Sequence, residues 1–302
     1  MNVFMGRIKI WIECARLRTL PVSVAGVVSA CGIAVWHGCF SWVPAMLCFV
    51  FAVMAQVVSN FANEYYDFKR GADKKGRVGP RRGVTEGDIK PSTLKLVTYA
   101  TLAAACVVGC CLIPYGGWWL VIVGVFIAIF ALAYSAGPYP LAYHGLGDVA
   151  VLLFFGVIPV NLTYYVQSGV LYETSVMLAS VAVGLMGVNV LIVNNYRDMD
   201  DDKEANKRTS VVIFGRKVAA LVYLINGYVA MILFSSMWKS GDFFILMIPM
   251  LYLSVHTVAW HKLTTRTGAA LNPLLGMTSV NMLVFAVLVI LYFAIVPVWA
   301  AA

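Results

Sequence analysis

Two segments of this chain repeat one arrangement of amide and carboxylate side chains. The first reads N-F-A-N-E-Y-Y-D at residues 60–67, and the second reads N-N-Y-R-D-M-D-D-D at residues 194–202. On a helix, positions i, i+3 and i+7 lie on one face. Each segment is therefore expected to present one polar face, made of Asn60, Asn63 and Asp67 in the first segment and of Asn195, Asp198 and Asp202 in the second.

Carboxylate and amide oxygens suit Mg²⁺, which usually binds one or two carboxylates and completes its shell with water and phosphate. Basic side chains beside the acids could hold the remaining phosphate oxygens. Such residues follow each segment: Arg70, Lys74, Lys75, Arg77, Arg81 and Arg82 after the first, and Arg197, Lys203, Lys207 and Arg208 after the second. The pattern predicts a magnesium-bound diphosphate. Alternatively, the polar residues only mark helix ends at a membrane surface, and the basic residues follow from topology.

Both segments continue stretches of apolar sequence. Of the 302 residues, 61% are hydrophobic and 12% are charged, whereas about 25% of the residues of a soluble domain are charged. About 20 apolar residues suffice to cross a membrane, and their backbone must then be helical. We predict an all-α, polytopic membrane protein with nine transmembrane helices around a central cavity open to lipid. The predicted spans are 17–38, 42–66, 93–113, 118–136, 148–167, 174–196, 217–237, 243–261 and 274–298.

The basic residues decide the predicted orientation. With a cytoplasmic N-terminus, all of the 22 Lys and Arg residues except Lys239 lie on the cytoplasmic side, as the positive-inside rule requires. Of the 14 Asp and Glu residues, only Glu173 and Asp242 lie on the outer side. Topology and anionic lipid headgroups account for most of the net charge of +8. No nucleic-acid partner is therefore predicted.

At the two polar segments the sequence resembles the UbiA superfamily of intramembrane prenyltransferases. These are all-helical, nine-span proteins whose two Asp-rich motifs bind a prenyl diphosphate through Mg²⁺. The first motif, N-D-x-x-D or N-x-x-x-D, corresponds to N-E-Y-Y-D at 63–67, in which Glu64 replaces the commoner Asp. The second, D-x-x-x-D, is intact from Asp198 to Asp202. The resemblance leaves open whether Glu64 shares in metal binding.

Longer stretches narrow the resemblance to the branch of this family that prenylates 1,4-dihydroxy-2-naphthoate. They are S-N-x-x-N-E-Y-x-D-x-x-x-G-x-D at 59–73 with R-V-G-P-R-R-G at 77–83, Y-S-A-G-P-Y-P-L-A-Y-H-G-L-G-D at 134–148 with F-F-G at 154–156, and V-N-N-Y-R-D-M-D-x-D at 193–202 with N-K-R-T at 206–209. The resemblance implies polyprenyl transfer from polyprenyl diphosphate to that acceptor, with loss of diphosphate and CO₂ and formation of demethylmenaquinol. It also implies an enzyme of the bacterial cytoplasmic (inner) membrane, in contact with membrane lipid, whose active site faces the cytoplasm.

The resemblance assigns roles to individual residues. Mg²⁺ would be bound by Asn63, Asp67, Asn195, Asp198 and Asp202, of which Asp67, Asp198 and Asp202 are the catalytic carboxylates. The substrate-binding candidates are Asn60, Asp73, Arg77, Arg81, Tyr134, Arg197 and Lys207. We expect Arg77, Arg197 and Lys207 at the diphosphate, and Asp73, Arg81 and Tyr134 at the aromatic acceptor. Alternatively, Tyr134 is an interfacial aromatic residue, Asp73 is a solvated acid paired with Lys74, and Arg81 binds lipid phosphate.

The whole chain, 1–302, is predicted to form one domain with two pseudo-repeated halves of about 1–140 and 141–302. Two other functions fit parts of the pattern. A prenyltransferase of the same fold could use another aromatic acceptor, such as 4-hydroxybenzoate. An ion-coupled secondary transporter would also carry intramembrane acids, but its charged site would lie near the midplane, whereas the acids here cluster at one membrane face.

Overall fold

A computed structural model describes the backbone of residues 2–237 and 243–300 and the side chains of residues 8–237 and 245–295. Every regular element in these ranges is helical, as predicted. Lys239 and Asp242 lie outside the described residues. The main helices are α1 (Asn2–Ala15), α2 (Leu20–Trp36), α3 (Trp42–Lys69), α4 (Pro91–Cys110), α5 (Trp119–Ala133), α6 (Gly147–Ser168), α7 (Thr174–Glu204), α8 (Ser210–Ser235), α9 (Phe243–Thr265) and α10 (Asn272–Ala300).

Seven helical segments within the described residues are long and apolar enough to cross a membrane. They include α2, α3, α4, α6, α7, α8 and α10. Helix α5 is apolar but has only 15 residues, and the 23-residue α9 covers the predicted span 243–261. The chain is therefore a multi-pass membrane protein, whereas the number of nine spans and the cytoplasmic N-terminus remain predictions.

The two helices that carry the polar motifs are longer than a membrane requires. Helix α3 has 28 residues and α7 has 31, which correspond to about 42 and 47 Å at about 1.5 Å per residue. The hydrocarbon core of a bilayer is about 30 Å thick. The C-terminal turns of both helices can therefore extend past the core, so that their carboxylates lie at its edge.

Close packing at Gly156, in the middle of α6, holds this helix beside α7. A Cβ atom on Gly156 would lie 2.4 Å from the Cα of Gly184, so the two backbones are in direct contact there. The second half of the chain and α2 together form the main apolar core, in which α7 packs along α8 and α10 packs along α2. These contacts fix the end of α7 that carries the second motif.

Helix α6 contains one wide, π-helical turn at Leu152–Val157. Such turns hold one residue more than an α-helical turn and are frequent at functional sites. Beyond this turn, the far end of α6 contacts the loop between α2 and α3. There, the Tyr164 hydroxyl lies 2.7 Å from His37 Nδ1, and Ser41 N donates to Gln167 Oε1 at 3.2 Å.

Candidate active site

The polar faces of α3 and α7 are buried and meet at Lys207, in the loop between α7 and α8. Asp67 is 3% exposed and Asp198 is 4% exposed. Lys207 Nζ lies 3.8 Å from Asp67 Oδ2 and 3.6 Å from Asp202 Oδ1. Burial opposes the charge on Lys207, but Asp67 and Asp202 outweigh it and raise the pKa of the ammonium group. One cation therefore compensates a carboxylate of each motif.

Two arginines from different parts of the chain hold Asp198. Arg197 Nε donates to Asp198 Oδ1 at 2.7 Å, and Arg77 Nη2 donates to Asp198 Oδ2 at 3.0 Å. Arg77 belongs to the loop between α3 and α4, so this bond ties that loop to the second motif. Arg197 also donates to Asn272 Oδ1 at 3.1 Å, at the start of α10. Arg197 therefore donates hydrogen bonds both to the second motif and to α10.

Asp73 joins two arginines of the loop between α3 and α4. Its Oδ1 accepts a hydrogen bond from Arg77 Nη1 at 2.8 Å, and its Oδ2 lies 3.2 Å from Arg82 Nε. Burial raises the pKa of Asp73 to about 6, although the Arg77 guanidinium lowers it. Lys74 instead pairs with Glu204 at 2.8 Å, where both side chains are exposed. Asp73 is therefore a buried part of the site and does not pair with its neighbour.

Asn63 connects the first motif to three other parts of the chain. Its Nδ2 donates to Asp67 Oδ2 at 2.9 Å and to Ser135 Oγ at 3.1 Å. Its Oδ1 accepts hydrogen bonds from Arg16 and from Arg82, the latter at 3.3 Å. The sequence pattern did not single out Arg16, because topology alone explains a basic residue before a first span.

Tyr143 is a second site residue that the sequence pattern did not single out. Its hydroxyl donates to Asp67 Oδ1 at 2.8 Å, and Lys207 Nζ lies 5.4 Å from the centre of its ring. Burial, followed by the charge of Asp67, raises the pKa of Tyr143. The available signal was its position inside the stretch at 134–148 that resembles the prenyltransferases.

Glu64, the departure from the usual motif, contacts the loop between α3 and α4, where Arg82 Nη1 lies 4.0 Å from its Oε2. It is 0% exposed. Its Oε1 accepts a hydrogen bond from the backbone N of Val84 at 3.1 Å and lies 3.4 Å from Cys14 Sγ. These contacts give Glu64 a structural role, because it fastens the loop between α3 and α4 to α1.

Two other candidate residues have partners outside the pair of motifs. Asn60 Nδ2 donates to the backbone oxygen of Ala15 at 2.9 Å and so ties α3 to the end of α1. Arg81 pairs with Asp88 at 2.6 Å, and its side chain is 49% exposed. The structure therefore does not bring Arg81 together with the other predicted substrate-binding residues.

Two adjoining polar cavities surround the motifs. We call the first the carboxylate cavity; it has a volume of about 140 Å³, and its lining includes Asp67, Asp73, Arg77, Asp198, Asp202 and Lys207. We call the second the junction cavity; it also has about 140 Å³, and its lining includes Arg16, Asn60, Asn63, Tyr134, Asp148 and Asn195. Arg77 and Lys207 line both, so the two cavities adjoin at these cations.

A third, apolar cavity continues from the junction cavity between α2, α3, α4, α5 and α6. It has a volume of about 230 Å³, and its lining includes Phe51, Gly124 and Phe154. Tyr134 and Phe155 line both this cavity and the junction cavity. The three cavities therefore form a series that runs from a charged end to an apolar end.

The donors of the carboxylate cavity fit a magnesium ion that a phosphorylated ligand helps to hold. Asp202 Oδ2 is buried and has no hydrogen-bond partner in the described part of the chain. Among the described residues, no three His, Cys, Asp or Glu side chains form a metal site by themselves. Mg²⁺ needs no such cluster, because it commonly takes one or two carboxylates and completes its shell with water and phosphate.

Residues 24–280 match the UbiA prenyltransferase family. The 1,4-dihydroxy-2-naphthoate octaprenyltransferase of Escherichia coli (strain K12) is 34% identical to this chain over 261 residues, which cover 82% of this chain and 84% of that protein. The protein of the same name from Mycobacterium leprae (strain TN) is 32% identical over 284 residues, which cover 92% of this chain and 94% of that protein.

The fold is also that of a solved structure, a UbiA homologue from Archaeoglobus fulgidus bound to DMAPP and Mg²⁺. The TM-score is 0.61 at 16% sequence identity, and the match covers 93% of this chain and 99% of that chain. At this level of identity the likeness concerns the fold alone.

Proposed function

The chain belongs to the UbiA prenyltransferase family, and we propose that it transfers a polyprenyl group from a polyprenyl diphosphate to 1,4-dihydroxy-2-naphthoate. The products are diphosphate, CO₂ and demethylmenaquinol, so the enzyme acts in menaquinone biosynthesis. The relatives named for this reaction match most of the chain. The active site faces the cytoplasm at the bacterial inner membrane.

The series of cavities is the observation that carries this proposal. A polyprenyl diphosphate has a strongly anionic head and a long hydrocarbon tail. The carboxylate cavity offers cations and carboxylates, and the apolar cavity is reached from it through the junction cavity. With the head in the first and the tail in the last, the reacting C1 carbon lies at the junction cavity.

Residues of the carboxylate cavity, together with Asn63 and Asn195 of the adjoining junction cavity, divide the binding of the head between them. Asn63, Asp67, Asn195, Asp198 and Asp202 would hold Mg²⁺. When bound, the ion neutralises charge that develops on the departing diphosphate. Arg77 and Lys207, which lie where the two polar cavities adjoin, bind the other phosphate oxygens.

The junction cavity and the apolar cavity keep water from the reacting carbon. As the bond between C1 and diphosphate breaks, positive charge develops on the allylic carbons, and a ring carbon of the acceptor must reach C1 before water does. The side chains of Val151 and Phe155 lie at this boundary beside Tyr134. Exclusion of water by such a lining protects the cation from hydrolysis.

The acceptor is tested with the purified protein in detergent, Mg²⁺ and a long-chain polyprenyl diphosphate. Either 1,4-dihydroxy-2-naphthoate or 4-hydroxybenzoate is added, each labelled in its carboxyl carbon. We expect labelled CO₂ and a prenylated product from the naphthoate alone. Prenylation of 4-hydroxybenzoate with retention of its label would show that 4-hydroxybenzoate is the acceptor instead. Absence of Mg²⁺-dependent binding of polyprenyl diphosphate would favour an ion-coupled carrier.

The position of the tail is tested by filling the apolar cavity. Gly124 lines this cavity, and a Cβ atom there would meet no atom within 4 Å. Gly124→Phe is expected to slow turnover of long-chain diphosphates while dimethylallyl diphosphate is still used. Gly276→Phe is the matched control, because Gly276 also has open space around its Cα and belongs to α10. Equal loss for long and short substrates would place the tail elsewhere.

A further inference from the structure

Arg16 is a charged residue of the junction cavity that the steps above do not use. Its guanidinium donates a hydrogen bond to Asn63 Oδ1. Among the described side chains, no carboxylate lies within 4.0 Å of it, so it forms no ion pair. Arg16 is partly buried, and a charge that is partly withdrawn from water is costly unless it is paired. Arg16 therefore lies in a cavity where an anionic group of a ligand would find an unpaired cation.

The backbone of Arg16 supports the same conclusion. Arg16 has φ 53° and ψ 59°, the left-handed region that side chains other than glycine rarely adopt. Such conformations cost about 1–3 kcal/mol, persist only where the surrounding structure enforces them, and are frequent at active sites and ligand-binding sites. Here the conformation lies at the turn between α1 and α2, beside the junction cavity.

Asp148 is the second unused charged residue of the junction cavity. It lies in the first turn of α6. Its Oδ1 is buried and has no hydrogen-bond partner among the described residues, although the Ser210 side chain lies near it in the same cavity. A Cβ atom on the preceding Gly147 would lie 3.5 Å from the hydroxyl of Tyr134, so Asp148 is next to the aromatic wall of the cavity. An unpaired carboxylate oxygen in this place can accept a hydrogen bond from a ligand.

The acceptor must be bound in the junction cavity, if the proposed function holds. The carboxylate cavity takes the diphosphate and the apolar cavity takes the tail, so the attacking ring carbon can reach C1 only between them. The acceptor carries a carboxylate at carbon 2 and a hydroxyl at carbon 4, which point from different edges of one ring. The two unpaired groups, a cation and a carboxylate oxygen, match these two substituents in charge and in hydrogen-bonding type.

We propose that Arg16 binds the carboxylate of the aromatic acceptor and that Asp148 accepts a hydrogen bond from its 4-hydroxyl group, which orients the ring in the junction cavity. Arginine binds carboxylates through two parallel hydrogen bonds, which fix direction as well as position. A hydrogen bond from the hydroxyl to a carboxylate also increases electron density in the ring that attacks C1. Arg82 lines the same cavity, but it is already paired with Asp73 at 3.2 Å.

The test combines variants with acceptor analogues that lack one substituent each. The analogues are 1-hydroxy-2-naphthoate, which lacks the 4-hydroxyl, and 1,4-naphthalenediol, which lacks the carboxylate; both are measured as inhibitors of prenyl transfer. Wild-type turnover of 1,4-dihydroxy-2-naphthoate is established first, and its absence would reject the proposed function and not this assignment. Every variant is then compared at saturating polyprenyl diphosphate and Mg²⁺.

Asp148→Asn is expected to raise the KM for 1,4-dihydroxy-2-naphthoate about tenfold or more, as for the loss of a hydrogen bond to a charged group. The inhibition constant of 1-hydroxy-2-naphthoate should not change, because this analogue never made the bond. Asp200→Asn is the control, since Asp200 is 78% exposed and paired with Arg216. An equal rise for 1-hydroxy-2-naphthoate would show that Asp148 acts on the shape of the cavity, and the assignment would be withdrawn.

Arg16→Gln is expected to raise the KM for 1,4-dihydroxy-2-naphthoate about tenfold to a hundredfold, with partial recovery in Arg16→Lys. Neither variant should change the inhibition constant of 1,4-naphthalenediol or the KM for polyprenyl diphosphate. Arg18→Gln, at an exposed position on the same turn, is the control. A raised KM for polyprenyl diphosphate with unchanged acceptor binding would instead assign Arg16 to the diphosphate and overturn the proposal.

Discussion

Replacement of Lys207 by methionine tests two roles of this residue: it compensates the charges of Asp67 and Asp202, and it binds phosphate. In the structure its ammonium group lies 3.8 Å from Asp67 Oδ2 and 3.6 Å from Asp202 Oδ1. At an effective dielectric constant of about 20, each attraction amounts to about 4.5 kcal/mol before desolvation is subtracted. Removal of one partner from a buried pair costs about 3–5 kcal/mol. Lys207→Met is therefore expected to destabilise the protein by about 3 kcal/mol, which lowers the Tm by about 6 °C or more.

The same substitution should strengthen Mg²⁺ binding in the absence of substrate. Mg²⁺ no longer has to compete with an ammonium group for Asp67 and Asp202, so its apparent Kd should fall about tenfold, equal to about 1.4 kcal/mol. The KM for polyprenyl diphosphate should rise, because a phosphate-binding cation is lost. The assay is the Tm in detergent as a function of Mg²⁺ concentration, followed by steady-state kinetics. Lys203→Met, at an exposed position near the end of α7, is the control. Identical Mg²⁺ responses of the two variants would refute the reasoning.

Asp67→Asn and Asp198→Asn should each abolish prenyl transfer while the protein stays inserted and folded, as judged by product formation and by gel filtration; near-wild-type turnover in either would reject the metal assignment. Arg77→Ala should raise the KM for polyprenyl diphosphate about tenfold, since one charged hydrogen bond is lost; unchanged diphosphate affinity would remove its proposed role. Glu64→Ala should lower the Tm, because it removes the oxygen that accepts a hydrogen bond from the backbone N of Val84, but the Mg²⁺ dependence of turnover should match the wild type. A changed Mg²⁺ dependence would return Glu64 to the metal site.

Much of the fold was accessible from the sequence, because apolar length and helical spacing are local properties. The predicted spans 42–66 and 174–196 fall within α3 and α7. The spacing within each motif also predicted that Asp67 and Asp198 would share a polar region, and both are buried. The family resemblance supplied the reaction, which spacing alone could not give.

The partners of the motifs were not accessible, because they come from distant segments through tertiary packing. The loop between α3 and α4 is held over the site by a bond from Asn272 Nδ2 to the backbone oxygen of Val78 at 3.1 Å. The sequence around either residue does not predict this contact. Without the contact, the position of Arg77, which precedes Val78, cannot be predicted. Arg16 was hidden for another reason, since topology gives a sufficient explanation for an isolated basic residue at a helix end.

The wide turn of α6 at Leu152–Val157 determines how far the side chains at one end of this helix are rotated about its axis relative to those at the other end. In an α-helix each residue advances the rotation by about 100°. Deletion of one residue from this turn would restore regular geometry but rotate Ile158–Ser168 by about 100° relative to the end that carries Asp148. Tyr164 and Gln167 would then point away from the loop between α2 and α3 that they now contact. The extra residue thus lets one helix meet two sets of partners that no uniform helix could satisfy together.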